Sequence, residues 1–231
     1  MGQSDAAELI WLEGDVPASA RFDDPYFSRS DGLAETRHVF LAGNGLPGRF
    51  RPGFHVAELG FGTGLNMLAL WLAWQEVGGA SAVGGGTLRY TGFEAYPLEA
   101  HDIARALAAF PEVAAPAAPF LDQWAAGARR IALPGFEAEI LIGDANETLP
   151  RWSGRADAWF LDGFAPARNP GLWSAELMQA VADHTAPGGA FATYTAAGHV
   201  RRALQAAGFS VERAAGFGHK RHMTMGRKGA A

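Results

Sequence analysis

An apolar run from Phe54 to Leu59 leads into Gly60-Phe-Gly-Thr-Gly64, with Glu58 inside the run and Asn66 just beyond it. Glycines at alternate positions let a backbone turn sharply and approach a ligand closely. A helix starting after them offers unpaired N–H groups to a carboxylate or phosphate. The spacing is G-x-G-x-G. A dinucleotide loop reads G-x-G-x-x-G, with its third glycine one residue later. Short glycine patterns arise by chance, and the strand–turn–helix context is what raises this one above a simple loop. Glu94 closes the next apolar run, Leu88 to Phe93, where a carboxylate can accept hydrogen bonds from both hydroxyls of a ribose. Gly143-Asp144 ends a third run, and Asp144 suits either an exocyclic adenine amine or the cap of the next helix. Asp162-Gly-Phe-Ala-Pro166 follows a fourth, Ala156 to Leu161. A carboxylate there can orient an attacking amine and balance its transient positive charge. Phe164 can pack on a flat base. Asp162 would be costly to bury without a partner.

These positions need a scaffold that brings the ends of several strands together. Ala156 to Leu161 is apolar on both faces, as a central parallel strand is. Leu65, Leu68, Ala69 and Leu72 predict one helical face after the glycine loop. Pro97 predicts a helix start, running to about Ala109. Arg130 to Leu133 and Glu137 to Ile142 can pair as a hairpin around Pro134-Gly135. Trp173, Leu177 and Val181 share a helical face, and so do Val200, Ala203, Leu204 and Ala207. Ala190 to Tyr194, Phe209 to Val211 and His222 to Met225 read as further strands. The alternation predicts an α/β domain over 51–231, a mostly parallel sheet with helices on both faces. Residues 1–50 read as a small N-terminal extension packed on it. Gly78 to Gly86 reads as an exposed flexible stretch that absorbs the thirty residues between Gly64 and Glu94. In such a sheet, ligands bind beyond the carboxyl ends of the strands, so the four features describe a pocket for an adenine nucleoside with a charged tail.

Composition narrows the classes further. The chain has 231 residues, 48% hydrophobic and 19% charged, enough for one well-packed domain rather than a disordered chain. Zero cysteine excludes disulfides and thiolate nucleophiles, and no histidine cluster suggests a metal. The start reads as no export signal, and Leu65 to Trp74 is too short to span a membrane, so a cytoplasmic location is expected. Net charge is -5, yet from Gly198 onward seven Arg or Lys face a single acid, Glu212. This permits a local basic face, although a mildly basic, solubilising end is the simpler reading of charge alone.

Several stretches carry a specific resemblance: FDDPYFS at 22–28, GLAETRHVFLAGN at 32–44, ELGFGTGLN at 58–66, GFEAYPL at 92–98, IGDANETL at 142–149, DAWFLDGFAPARNPGLW at 157–173, PGGAFATYTAAGHVRRALQAAGF at 187–209 and GFGHKRHM at 216–223. The chain resembles the methyltransferase part of the bifunctional tRNA 5-methylaminomethyl-2-thiouridine biosynthesis protein family and its free-standing relatives. The resemblance implies a Rossmann-like class I S-adenosylmethionine-dependent methyltransferase fold. It implies S-adenosyl-L-methionine as cofactor, with methyl transfer to the amine of 5-aminomethyl-2-thiouridine at the wobble position of a tRNA anticodon. Carried over, Glu58, Gly60, Gly62, Thr63, Gly64 and Asn66 surround the methionine part, Glu94 holds the ribose, Asp144 lies by the adenine and Asp162 faces the substrate amine. Phe164, Arg168, Asn169, Arg201, Arg202, Lys220 and Arg221 are the candidates for holding the nucleotide and its phosphates. No stretch matches the flavin-dependent oxidase of the fused proteins, so no FAD is expected, and the aminomethyl substrate is expected from a separate enzyme. A small-molecule N-methyltransferase of the same fold and a non-catalytic RNA-binding domain are the competing expectations.

Overall fold

The computed structural model describes residues 7–28 and 31–230. The first six residues, part of the stretch read above for an export signal, lie outside the described residues. The chain opens on a small antiparallel sheet, β1 (Leu9–Leu12), β2 (Val16–Ser19) and β3 (Asp24–Pro25), a feature the sequence reading had not resolved. Helix α1 (Gly32–Thr36) begins at Asp31, whose side chain accepts from Ala34 N–H at 2.9 Å, and it runs on as a wider π turn through Leu41. Then come β4 (His55–Leu59), α2 (Leu65–Glu76), the short α3 (Gly79–Ala82) and β5 (Leu88–Glu94). Helices α4 (Ala100–Leu107), α5 (Pro111–Ala114) and α6 (Ala118–Ala125) precede the hairpin β6 (Arg130–Leu133) and β7 (Phe136–Ile142). The remainder is α7 (Ala145–Thr148), β8 (Ala156–Leu161), α8 (Ala175–Asp183), β9 (Thr185–Thr193), α9 (Gly198–Ala206), β10 (Phe209–Ala215) and β11 (His222–Lys228).

The main sheet has eight strands in the order β10-β11-β9-β8-β4-β5-β7-β6. The central five are parallel, and the antiparallel pairings are confined to the flanks, β6 on β7 and β11 against β9 and β10. Alternate residues of the central strands feed two cores, as the two-residue period of a strand requires. Val56, Ala158 and Phe160 face the side covered by α1, α2 and α4–α6, while Ala57, Leu59, Trp159 and Leu161 face α7–α9. This is the α/β architecture expected. β4 lies between β5 and β8, so the chain leaves the first parallel strand in one direction and returns on its other side. The crevice at that reversal is where such sheets bind ligands.

Several boundaries differ from those expected. Helix α4 starts at Ala100, because Pro97 belongs to the loop leaving β5 and Glu99 takes the cap position in extended conformation. Helix α2 is buried on nearly all sides, since α1 and α5 cover the face turned away from the sheet; Leu72, expected in the core stripe, is only half-buried. Trp173 lies in a 3-10 turn before α8, and the Ser174 hydroxyl accepts from Leu177 N–H at 3.1 Å to start that helix. Gly79, within the glycine-rich stretch, is buried against the Trp74 indole, which gives that segment a helical turn. The N-terminal region has no core of its own: Leu33, Val39 and Phe40 join the same apolar cluster as Val56 and Met67. Phe160 is fully buried at the centre of the sheet. Phe160→Ala is expected to lower the unfolding free energy by about 3–5 kcal/mol, measured by urea denaturation.

Candidate functional site

Backbone hydrogen bonds tie the ends of three strands together. The N–H groups of Gly60 and Phe61 donate to Phe93 O at 3.0 and 3.3 Å, and Asp162 N–H donates to Leu59 O at 3.1 Å. Gly60 has φ +80, and a Cβ there would stand 2.8 Å from the backbone oxygen of Asp162. Only glycine allows both the left-handed turn and this close approach. Gly62, also left-handed, lies under the Tyr26 ring, and Gly64 (φ +72) starts α2 without a side-chain cap among the described residues. Thr63, Leu65 and Asn66, around that helix start, line the cavity and turn its positive end toward it.

The cavity has a volume of about 400 Å³, within the range of small-molecule sites. Gly60, Gly62, Thr63, Asn66, Glu94, Asp144, Asp162, Phe164, Asn169 and Lys220 line it. Glu94 is braced at both oxygens: Gly62 N–H donates to Oε2 and Tyr96 N–H to Oε1, each at 2.8 Å. Burial raises its carboxyl above the ordinary value, with these N–H groups opposing the rise. Asp144 caps α7, accepting from Asn146 N–H at 2.8 Å, and also borders the cavity.

Asp162 projects from the carboxyl end of β8. Gly163 N–H donates to its Oδ1 and Asn66 Nδ2 to its Oδ2, both at 2.8 Å. Burial pushes this carboxyl up to about 7, with the two hydrogen bonds and the Lys220 ammonium pulling it down and Glu35 adding to the rise. The loop beyond it is fixed on three sides. Ala165 N–H donates to Asp24 at 2.7 Å, Tyr194 OH donates to Gly163 O at 2.7 Å, and Trp173 Nε1 donates to Phe164 O at 2.9 Å. Phe164 stacks on Phe22 with ring centroids 4.8 Å apart and meets the edge of Tyr26 at 5.1 Å.

The remaining candidates lie elsewhere. Glu58 is wholly buried beneath the glycine loop and does not border the cavity; its oxygens accept from Asn66 Nδ2 and Tyr90 OH. Gly64 is packed against Phe61 and Phe120 rather than facing ligand space. Arg168 is exposed outside the cavity and paired with Asp23 at 2.7 Å. Arg201 and Arg202 sit on α9 and Arg221 is exposed near β11, all outside the cavity lining. Arg201 is half-buried, with its Nε enclosed and unpartnered.

Sequence reading missed Glu35 and Thr36, both buried and both lining the cavity. Glu35 accepts from Lys220 Nζ at 2.7 Å, and that ammonium lies 4.1 Å from the centroid of the Tyr194 ring. The signal was a polar residue on a helix's apolar face: Thr36 follows Leu33 by three positions and precedes Phe40 by four, and Glu35 precedes Val39 by four.

A parallel sheet with a glycine turn, a strand-end acid and an open cavity at the chain reversal defines a class I Rossmann-like S-adenosylmethionine-dependent methyltransferase fold. The chain belongs to the S-adenosyl-L-methionine-dependent methyltransferase family, whose model matches residues 111–229. It is 49% identical over 229 residues to the tRNA 5-methylaminomethyl-2-thiouridine biosynthesis bifunctional protein MnmC of Caulobacter sp. (strain K31), covering 96% of this chain and 38% of that protein. The protein of the same name from Pseudomonas fluorescens is 46% identical over 224 residues, covering 93% and 33%. The chain thus spans under two fifths of the length of these relatives. Among solved structures, MNMC2 from Aquifex aeolicus superposes with a TM-score of 0.75 at 20% identity, covering 99% of this chain and 72% of that one. Spermidine synthase from Thermotoga maritima gives 0.56 at 14% identity, covering 100% and 72%. Both share the fold.

The donor set fits the cofactor the fold implies. The uncapped start of α2 suits a carboxylate, Glu94 suits a diol, and the glycine turn leaves room for close backbone approach. Glu94→Ala removes the acceptor and releases the N–H groups of Gly62 and Tyr96. It is expected to weaken S-adenosylmethionine binding by about 10- to 100-fold in calorimetry, the equivalent of one or two charge-assisted hydrogen bonds.

Proposed function

We propose that this chain methylates the aminomethyl nitrogen of 5-aminomethyl-2-thiouridine at the wobble position of a tRNA, using S-adenosylmethionine. The observation that carries the reading is Asp162. It is a carboxyl on the cavity wall, held by Gly163 and Asn66, with Phe164 two residues on and the glycine turn in backbone contact. The names of the relatives supply the substrate class.

S-adenosylmethionine, when bound, supplies an electrophilic methyl group on a sulfonium. The side chains of this protein have to present a neutral amine to it. A primary alkylamine reaches the site as an ammonium, and Asp162 binds that cation and takes its proton. An ordinary carboxylate is a poor acceptor for such a proton, whereas burial brings Asp162 up to about 7, closer to the amine. The protonated Asp162 then passes the proton to water. No side-chain nucleophile is required, consistent with the absence of cysteine. Alignment of amine and methyl contributes up to roughly 7–11 kcal/mol to lowering the barrier.

The target base enters the cavity against Phe164, displacing Phe22 from its stacked position. Lys220 on the wall and Asn169 near the rim contact the inserted nucleotide. Arg201, Arg202 and Arg221, outside the cavity, contact flanking phosphates, and Arg168 joins them if its pair with Asp23 opens. The aminomethyl group itself is made by a separate reaction.

The test is mass spectrometry of anticodon nucleosides after incubating undermodified tRNA with isotopically labelled cofactor. The expected result is one added methyl on 5-aminomethyl-2-thiouridine. Loss of transfer in Asp162→Ala, with cofactor binding retained, is expected alongside it. No transfer by the wild type, or equal turnover by Asp162→Ala, overturns the reading. Because Asp162 must be ionised to accept the proton, kcat/KM is expected to rise with pH through about 7. Its raised carboxyl also binds a proton more tightly in the folded than in the unfolded chain. Its contribution to stability is therefore complete below about pH 4, near the unfolded carboxylate value, and is lost as pH rises through about 7. Asp162→Asn is expected to flatten that part of the stability–pH curve in thermal unfolding.

A further inference from the structure

A second carboxyl lies behind the first. Glu58 on β4 is fully buried, and its two oxygens accept from Tyr90 OH on β5 and from Asn66 Nδ2 on α2. The same Asn66 nitrogen donates its other hydrogen to Asp162 Oδ2 at 2.8 Å, and Thr36 OH donates to Asn66 Oδ1 at 2.7 Å. All polar atoms of the Asn66 side chain are thus committed. Turning the amide over would point its oxygen at two carboxyl groups and its N–H groups at a hydroxyl. The acceptor at Glu58 therefore selects the face that Asn66 turns toward Asp162. We propose that Glu58 is a positioning residue, which acts through the Asn66 amide to hold the Asp162 carboxylate in the orientation that receives the substrate's amine.

Other charged and titratable groups also surround Asp162. Glu35 from α1 and Lys220 from the β10–β11 loop act on it with opposite signs, and Tyr90 and Tyr194 feel its charge from β5 and from the end of β9. Glu58 differs from these because burial, followed by the charge of Asp162, keeps its carboxyl well above the usual range. Its hydrogen-bonded route to Asp162 runs through the Asn66 amide, which touches both carboxyl groups. The Asn66 N–H stabilises the ionised form of Asp162. Loss of the lock on that amide therefore shifts Asp162 titration upward.

The proposal rests on the role given to Asp162 above, and its test needs no substrate. Carboxyl-carbon NMR follows Asp162 through a pH titration in wild type, Glu58→Leu and Glu58→Gln. The leucine variant fills the buried space with no acceptor, at the cost of leaving the Tyr90 OH and one Asn66 N–H without their partner. The glutamine variant keeps an amide oxygen facing Asn66. The expected result is an upward shift of Asp162 in Glu58→Leu that Glu58→Gln largely reverses, with S-adenosylmethionine affinity unchanged in both. With tRNA substrate, kcat of Glu58→Leu is expected to fall by about 10- to 100-fold, the scale of a small misplacement of a reacting group. An unmoved or downward-shifted Asp162 overturns the positioning role. If Glu58→Leu does not fold, Thr36→Val loosens the same amide from its other side, and an upward shift or its absence there decides in the same way. A wild type that transfers no methyl group overturns the role of Asp162 instead, so the two failures are distinguishable.

Discussion

Backbone contact between the ends of β4, β5 and β8 is the constraint on which the site depends. Gly60 and Phe61 donate to the end of β5, and Asp162 N–H donates to the end of β4. The turn at Gly60 is so close to Asp162 that no side chain fits between them. Three loops that would otherwise diverge are thereby held at one crevice, each carrying a functional side chain. A parallel sheet makes this possible because its strands end on the same side, and the chain reversal at β4 leaves the gap.

Convergence has an electrostatic cost. Glu58, Glu94 and Asp162 come together under low-dielectric conditions where each charge is disfavoured. The fold offsets that cost with donors that need no reorganisation. The backbone N–H groups of Gly62, Tyr96 and Gly163 serve Glu94 and Asp162, and the Asn66 amide is shared between Glu58 and Asp162. The result is graded. Glu58, most buried, is pushed well above the usual carboxylate range, while Asp162, at the cavity wall, is pushed up to about 7. A carboxyl so poised can exchange a proton with an amine, which an exposed aspartate does far less readily.

The N-terminal region supplies one wall of the site. Asp24 holds the Asp162 loop through Ala165, Phe22 and Tyr26 cover Phe164, and Glu35 receives Lys220. These contacts join segments 141 and 185 residues apart in the chain. β3, the aromatic residues beside it and α1 are therefore as much a part of the cavity as the glycine turn. Their apolar residues, Leu33, Val39 and Phe40, share the core of the main sheet.

Local patterning was enough to read the alternation of strands and helices, the β6–β7 hairpin and the acids at strand ends. Each of these is written in neighbouring residues: period-two or period-3.6 apolar spacing, glycines where a turn needs φ > 0, an acid where a strand stops. Tertiary structure decided what those residues touch. Glu58 is expected around the methionine part of the cofactor, yet it points into the core because the strand period turns it away from the cavity and Asn66 stands between. Arg168 reads as a contact for the inserted nucleotide and is held by Asp23, whose place follows from a small sheet that no local pattern announces. Glu35 and Thr36 belong to the site because α1 packs over α2 and the last hairpin brings Lys220 back to meet them. Periodicity specifies which way a side chain leaves its own element; only the packing of distant elements specifies what lies there to meet it.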